Sequence, residues 1–262
     1  MPTAARNAAF RIVLAAIACV SAAGNTRAGL VSHRAIYEMT GSGGNVVDLD
    51  GRMALEIADV CDGWILYQRT TLRIVNTDGS EVRSLTSFAS WESKDGDLFR
   101  FEQQSQQNGL TTEKISGRAE IEPGKWGVAY LTLPKVMQIA LPPGTLFPTR
   151  HTEELIASAR AGETHFLRVV FDGSALENPN RVSAFIGAPE KVPESGAGAE
   201  AATAWPVRLA FFLLEGQAPE PNVEIGLLLE DNGIAHRVDL DYGNFRVRGE
   251  LAKLVLLPPR DC

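Results

Sequence analysis

From Leu30 to Leu257 the chain alternates apolar and polar residues with a period of two, in one short segment after another. Alternation of this kind sends successive side chains to opposite faces, so a chain that keeps repeating it builds half-buried β-strands. Val31, His33, Ala35, Tyr37 and Met39 form one stripe against Ser32, Arg34, Ile36 and Glu38. Met53, Leu55 and Ile57 alternate in the same way with Arg52, Ala54, Glu56 and Ala58. The longest run leaves a tight Asp-Gly turn at Cys61-Asp62-Gly63-Trp64. It places Trp64, Leu66, Thr70, Leu72 and Ile74 on one face and Ile65, Tyr67, Arg69, Thr71 and Arg73 on the other.

Turn chemistry punctuates these runs at Gly41–Asn45, Asn76–Gly79, Ser93–Gly96 and Asp231–Gly233. Asn108-Gly109 is the strongest hairpin signal, because both positions of a two-residue turn need positive φ. Later strands are expected over Phe166–Phe171, Arg181–Ile186, Trp205–Leu214, Val223–Glu230, Ile234–Tyr242 and Asn244–Leu257. Gly187 to Ala204, rich in Gly, Ala, Pro and Glu, reads as a mobile loop. No composition break isolates a second domain, and all-β sheets of roughly 200–250 residues fold as one unit. The reading is an all-β, single-domain, many-stranded antiparallel sheet spanning 29–262.

One helix interrupts the meander, over Arg150–Gly162. Thr149 is its expected N-cap, with Glu153 and Glu154 in the first turn and Arg160 and Gly162 at the C-terminal end. Thr152, Leu155, Ile156 and Ala159 share a face at helical spacing, which suits plugging one end of a curved sheet. Pro134 to Leu146 is read as a second, shorter helical turn ended by Pro142-Pro143-Gly144.

Residues 1–28 read as a signal peptide. Arg6 and Arg11 precede the apolar run Ile12–Val20, which is too short to span a bilayer, and small residues follow with cleavage after Ala23 or Ala28. Loss of Arg6, Arg11 and Arg27 from the 25 basic residues would leave 22 against 32 acidic ones, a net charge of −10. That balance argues against a nucleic-acid partner and against adsorption to anionic lipid headgroups. No later segment is long and apolar enough for a transmembrane helix. Cys19 would leave with the signal; its rival role, lipidation, is weakened because Ala16-Ile17-Ala18-Cys19 lacks the usual leucine. Cys61 and Cys262 remain, and an even pair in an oxidising compartment is expected to be bridged. If they pair, nearly the whole domain lies inside one covalent loop.

Catalytic constellations are missing from the sequence. His33, His151, His165 and His236 have no metal-ligand spacing, so neither a metal nor a cofactor is expected. Gly41-Ser42-Gly43 and Asp172-Gly173-Ser174 fit hairpin turns better than a nucleophile elbow. Asp48-Leu49-Asp50-Gly51 lacks the remaining ligands of a calcium loop. Asp62 and Asp172 read as turn residues. What remains is the concave surface of a curled sheet, which Trp64, Phe88, Trp91, Tyr130, Trp205, Phe211 and Phe245 could line. On strands, such aromatics are more often ordinary core.

The chain resembles the EipB-type cell-envelope integrity proteins of alphaproteobacteria. The likeness is carried, in order, by Leu30–Tyr37, Cys61-Asp62-Gly63-Trp64, Phe147–Thr152, Val170–Ser174, Trp205-Pro206-Val207, Leu240–Gly243 and Leu257–Cys262. The resemblance implies a periplasmic protein whose curled sheet, a β-spiral or open barrel, is plugged at one end by one or two short helices. It implies a disulfide between the matching positions, Cys61 and Cys262. It further implies a non-catalytic role in maintaining the envelope under stress, through an unidentified periplasmic protein, envelope lipid or cell-wall component. Two other functions are expected alternatives: a lipid or lipoprotein carrier, with an apolar cavity, and an envelope hydrolase, which would need a serine or carboxylate cluster on one face.

Overall fold

The computed structural model describes residues 29–176, 179–193, 202–214, 220–260 and 262. The segment read as a signal peptide, residues 1–28, lies outside them. Sixteen strands join one sheet. The first eight follow the chain as a meander: β1 (His33–Gly43), β2 (Val46–Asp59), β3 (Gly63–Asn76), β4 (Glu81–Ser93), β5 (Leu98–Gln107), β6 (Leu110–Glu120), β7 (Gly127–Leu133) and β8 (Met137–Leu141). The short strand β9 (Thr145–Leu146) leads into α1 (Pro148–Arg160). Then come β10 (His165–Val170), β11 (Asn180–Ile186), β12 (Glu190–Val192), β13 (Ala202–Leu213), β14 (Val223–Glu230), β15 (Ala235–Asp241) and β16 (Arg246–Leu256).

The sheet grows from β1 in both directions. On one side it runs β2 through β8; on the other it runs β16, β15, β14, β13, β11, β10 and β9, with β12 added against β13. All pairings are antiparallel except the two-residue β9–β10 contact. The two ends of this long sheet, β8 and β9, are consecutive in the chain, separated only by Pro142-Pro143-Gly144. A twisted sheet whose opposite ends are joined by three residues has to curl until those ends come close. The result is a curled, open-barrel architecture: the many antiparallel strands follow the alternating pattern, and the curl is the one that the family resemblance implies.

Alternation decides which face carries the core. In β1, His33, Ala35, Tyr37 and Met39 are buried while Arg34, Glu38 and Thr40 are exposed. Ladder partners keep the same face, so the core face passes from Tyr37 to Met53 and Thr70. On that face Phe99, Phe101, Phe147 and Phe171 form a ring cluster, with centroids 5.1 Å apart for Phe99–Phe147 and 5.5 Å for Phe101–Phe171. Gly173 (φ +69°) turns the chain against this cluster, where a Cβ would lie 2.4 Å from the Phe101 ring. Asp172 Oδ1 accepts from the Ser174 amide and hydroxyl, so Asp172 is a turn residue, as its sequence context suggests.

α1 spans one end of the curl. Leu155, Ile156 and Ala159 pack against Phe166, Val182, Ala184, Trp205 and Leu209. Three readings of this region need correction. Pro134–Leu146 forms β8 and β9 instead of a second helical turn, because Met137, Ile139 and Leu141 find ladder partners on β7. Thr149 is not the N-cap: Phe147 occupies that position with Pro148 first in the helix, and no glutamate falls in the first turn. The exposed amides are capped from afar, as Glu92 of β4 accepts from the Thr149 N–H at 2.7 Å and the Arg150 N–H at 2.8 Å. In the 187–204 stretch, β12 pairs with the start of β13; residues 194–201 lie outside the described residues.

His151, on the buried face of α1, has no hydrogen-bond partner for Nε2 among the described residues. Burial, with a smaller push from Arg168, lowers its pKa from 6.5 to about 4. The folded state therefore resists protonation that the unfolded chain accepts, and this stability is lost as pH falls from 6.5 toward 4. His151→Phe is expected to remove up to about 3 kcal/mol of that acid sensitivity. Denaturant titrations at pH 7 and pH 5 check it; an unchanged difference between the two pH values refutes it.

Candidate functional site

The residues singled out in the sequence do not converge. Cys61 and Cys262 are bridged, with Cα atoms 5.6 Å apart and 201 positions between them in the chain. His33 and His151 are core residues, while exposed His165 lies edge-on to Phe185. His236 Nε2 meets Glu230 Oε1, and Asn232 donates to the other Glu230 oxygen at 2.6 Å. Among the described residues, no three His, Cys, Asp or Glu side chains are grouped to hold a metal ion. Asp48 and Asp50 are both engaged by Arg73, at 2.8 and 2.6 Å. No described helix is long and apolar enough to cross a membrane.

The aromatic set divides between the two faces. Trp64, Phe88, Trp205 and Phe211 fall on the core face by ladder register, and Phe245 packs against the core beside Met39 and Val247. Trp91 and Tyr130 stand on the opposite, outer face. The principal hollows open on that outer face too. A trough of about 640 Å³ crosses β16, β1, β2, β3, β4 and β5. Its floor is low because Ala54, Ser87 and Ala89 are small, and its walls include Arg34, Tyr67, Arg69 and Lys253. Tyr67, Ala89 and Glu102 also line an adjoining hollow of about 490 Å³ across β3 to β7. The two hollows form one continuous surface feature.

Electrostatics distinguish this trough from the other large hollow. A depression of about 990 Å³ over β13 to β16 holds Arg208, Arg237, Arg246 and Arg248 with Glu224, Asp239 and Asp241. Every one of those arginines has a carboxylate partner. The charges there satisfy one another, and exposed pairs of this kind contribute little to stability. The trough and its adjoining hollow together carry Arg34, Arg69, Arg100, Arg118 and Lys253 against Glu56 and Glu102 only. Arg34 pairs with Glu56 at 2.6 Å. Arg69, Arg100, Arg118 and Lys253 form no ion pair among the described residues. An excess of positive charge in a hollow of an acidic protein gives that hollow a local potential that attracts anionic groups.

Comparison with known proteins adds three findings. Residues 25–258 match the family model described as EipB-like. The chain is 33% identical over 238 residues to the cell envelope integrity protein EipB of Brucella abortus (strain 2308), covering 86% of this chain and 84% of that protein. A crystal structure from Brucella abortus, described as a beta-barrel-like protein of a domain of unknown function, superposes with a TM-score of 0.81 at 30% identity. The match covers 88% of this chain and 99% of that one.

Proposed function

The chain belongs to the EipB-like family, and from that premise we propose that it supports the integrity of the cell envelope by binding, without catalysis. In this reading residues 1–28 direct export to the periplasm and are removed, and 29–262 form the working domain. The outer-face trough holds a periplasmic protein, an envelope lipid or a cell-wall component. The observation that carries the reading is the trough itself, with its small-residue floor and unpaired cations. Its residues come from eight strands, so the curled sheet is what assembles the surface.

Filling the floor tests this directly. Ala54→Trp and Ala89→Trp place bulk on the outer face without touching the core. Each is expected to leave export and thermal melting unchanged while failing to restore detergent resistance to a strain lacking the gene. Full restoration by both variants overturns the trough as the working surface. Native mass spectrometry of gently extracted protein would reveal a bound species of defined mass. A copurified lipid displaced from the core side would redirect the reading to a carrier.

A further inference from the structure

Across the smaller hollow the ladder partners run Ile65, Trp91, Arg100, Arg118 and Tyr130. Arg100 and Arg118 therefore face one another directly on neighbouring antiparallel strands, an arrangement that repels. Elsewhere on this protein Arg34, Arg52, Arg73, Arg208, Arg246 and Arg248 each hold a carboxylate. Arg100 and Arg118 hold none among the described residues. Each guanidinium is laid over a ring instead: Arg100 Cζ lies 5.0 Å from the Trp91 centroid, and Arg118 Cζ 5.1 Å from that of Tyr130. Trp91 is itself set against Gly63, where a Cβ would come within 2.6 Å of the indole nitrogen. Ser116 and Thr132, whose hydroxyls lie 2.8 Å apart, border the same hollow.

We propose that Arg100 and Arg118 form a binding site for a phosphomonoester group, free or displayed on a lipid. Two forked cations call for two negative charges, and a carboxylate supplies only one. A phosphomonoester carries about −1.5 to −2 at pH 7 and accepts bidentate hydrogen bonds from both guanidinium groups. Trp91 and Tyr130 hold the forks in place before the ligand arrives, which reduces the ordering cost of binding. Glu102, two residues along β5 and lining the same hollow, opposes the anion and sets a limit on affinity. The inference deepens the reading above, resting on it only in taking the trough as the binding surface.

The test is isothermal titration calorimetry of the mature protein with inorganic phosphate. Beside it runs cosedimentation with phosphatidylcholine vesicles, with and without phosphatidic acid. Saturable phosphate binding is expected, weakened about tenfold or more by Arg100→Gln and by Arg118→Gln. Glu102→Gln should tighten it, and wild-type binding should weaken as pH falls and the second phosphate proton returns. Cosedimentation that requires phosphatidic acid, and is lost in both arginine variants, identifies the lipid-borne source. Phosphate binding without cosedimentation identifies a soluble ligand. The proposal falls if wild type binds neither probe, or if both arginine variants bind as wild type does. Failure of Ala89→Trp to restore detergent resistance would in that case leave the trough's function standing and reject its phosphate chemistry alone.

Discussion

Cys262→Ser is expected to lower the stability of the mature protein by roughly 2–5 kcal/mol. The bridge to Cys61 closes a loop in which 201 positions separate the cysteines, and closing a loop of that length costs the unfolded chain about 5 kcal/mol of entropy. The native side of the balance is small. β16 ends at Leu256, and among the described residues the tail beyond it makes one backbone hydrogen bond to the body, from the Leu257 N–H to the Ser32 carbonyl. Residues 258–260 and Cys262 are exposed, so the substitution removes little packing. The effect therefore acts through the unfolded ensemble, and the denaturant dependence should steepen as that ensemble expands. Denaturant titration of oxidised wild type beside Cys262→Ser and Cys61→Ser checks it. An unchanged midpoint, or two free thiols in the exported protein, would refute the expectation.

Most of the strand pattern could be read from the sequence because one face of nearly every strand is buried. The His33-Ala35-Tyr37-Met39 stripe is an example, and a shift of one residue would turn all four side chains to solvent. Asn108 (φ +51°) and Gly109 (φ +81°) form the two-residue turn that their identities specify. Shorter elements escaped. β8 is five residues flanked by prolines, and its strand character depends on pairing with β7, which local chemistry does not encode.

The site was hidden for a different reason. A two-residue turn at Asn108-Gly109 sets Arg100 opposite Gly117 by simple counting, and sends Arg118 to the core face opposite Phe99. A bulge at Ser105/Gln106 shifts the register by one residue, pairing Arg100 with Arg118 and bringing Arg118 to the outer face. One extra residue thus creates the opposed arginines, and nothing in the sequence marks where it falls. The aromatic residues were legible as a set, but their division between faces depended on registers of the same kind.

The helix cap rests on a contact still further from local sequence, and it carries the second large expected effect. Glu92→Ala is expected to cost about 2–4 kcal/mol, because the Thr149 and Arg150 amides lose their acceptor at a buried helix start. Thr149 is the second helical residue, and the N-cap Phe147 makes no side-chain cap bond; the carboxylate that does the capping stands 57 residues before Thr149 in the chain. Burial pushes the Glu92 carboxyl up from 4.5 to about 7, outweighing the two amide bonds that favour its charged form. The folded state thus holds this proton more tightly than the unfolded chain. Its contribution is complete below about pH 4.5 and declines as pH rises toward 7. Glu92→Gln keeps the shape and cannot titrate. The stability advantage of wild type over Glu92→Gln should therefore shrink by about 3 kcal/mol between pH 4.5 and pH 7. The comparison is made at each pH, because buried His33 and His151 act in the opposite direction over part of the window. Amide exchange at Thr149 and Arg150 supplies the local readout, accelerated in Glu92→Ala if the carboxylate is the cap. A variant within about 0.5 kcal/mol of wild type, or a pH-independent gap, would mean that α1 is held by Leu155, Ile156 and Ala159 alone.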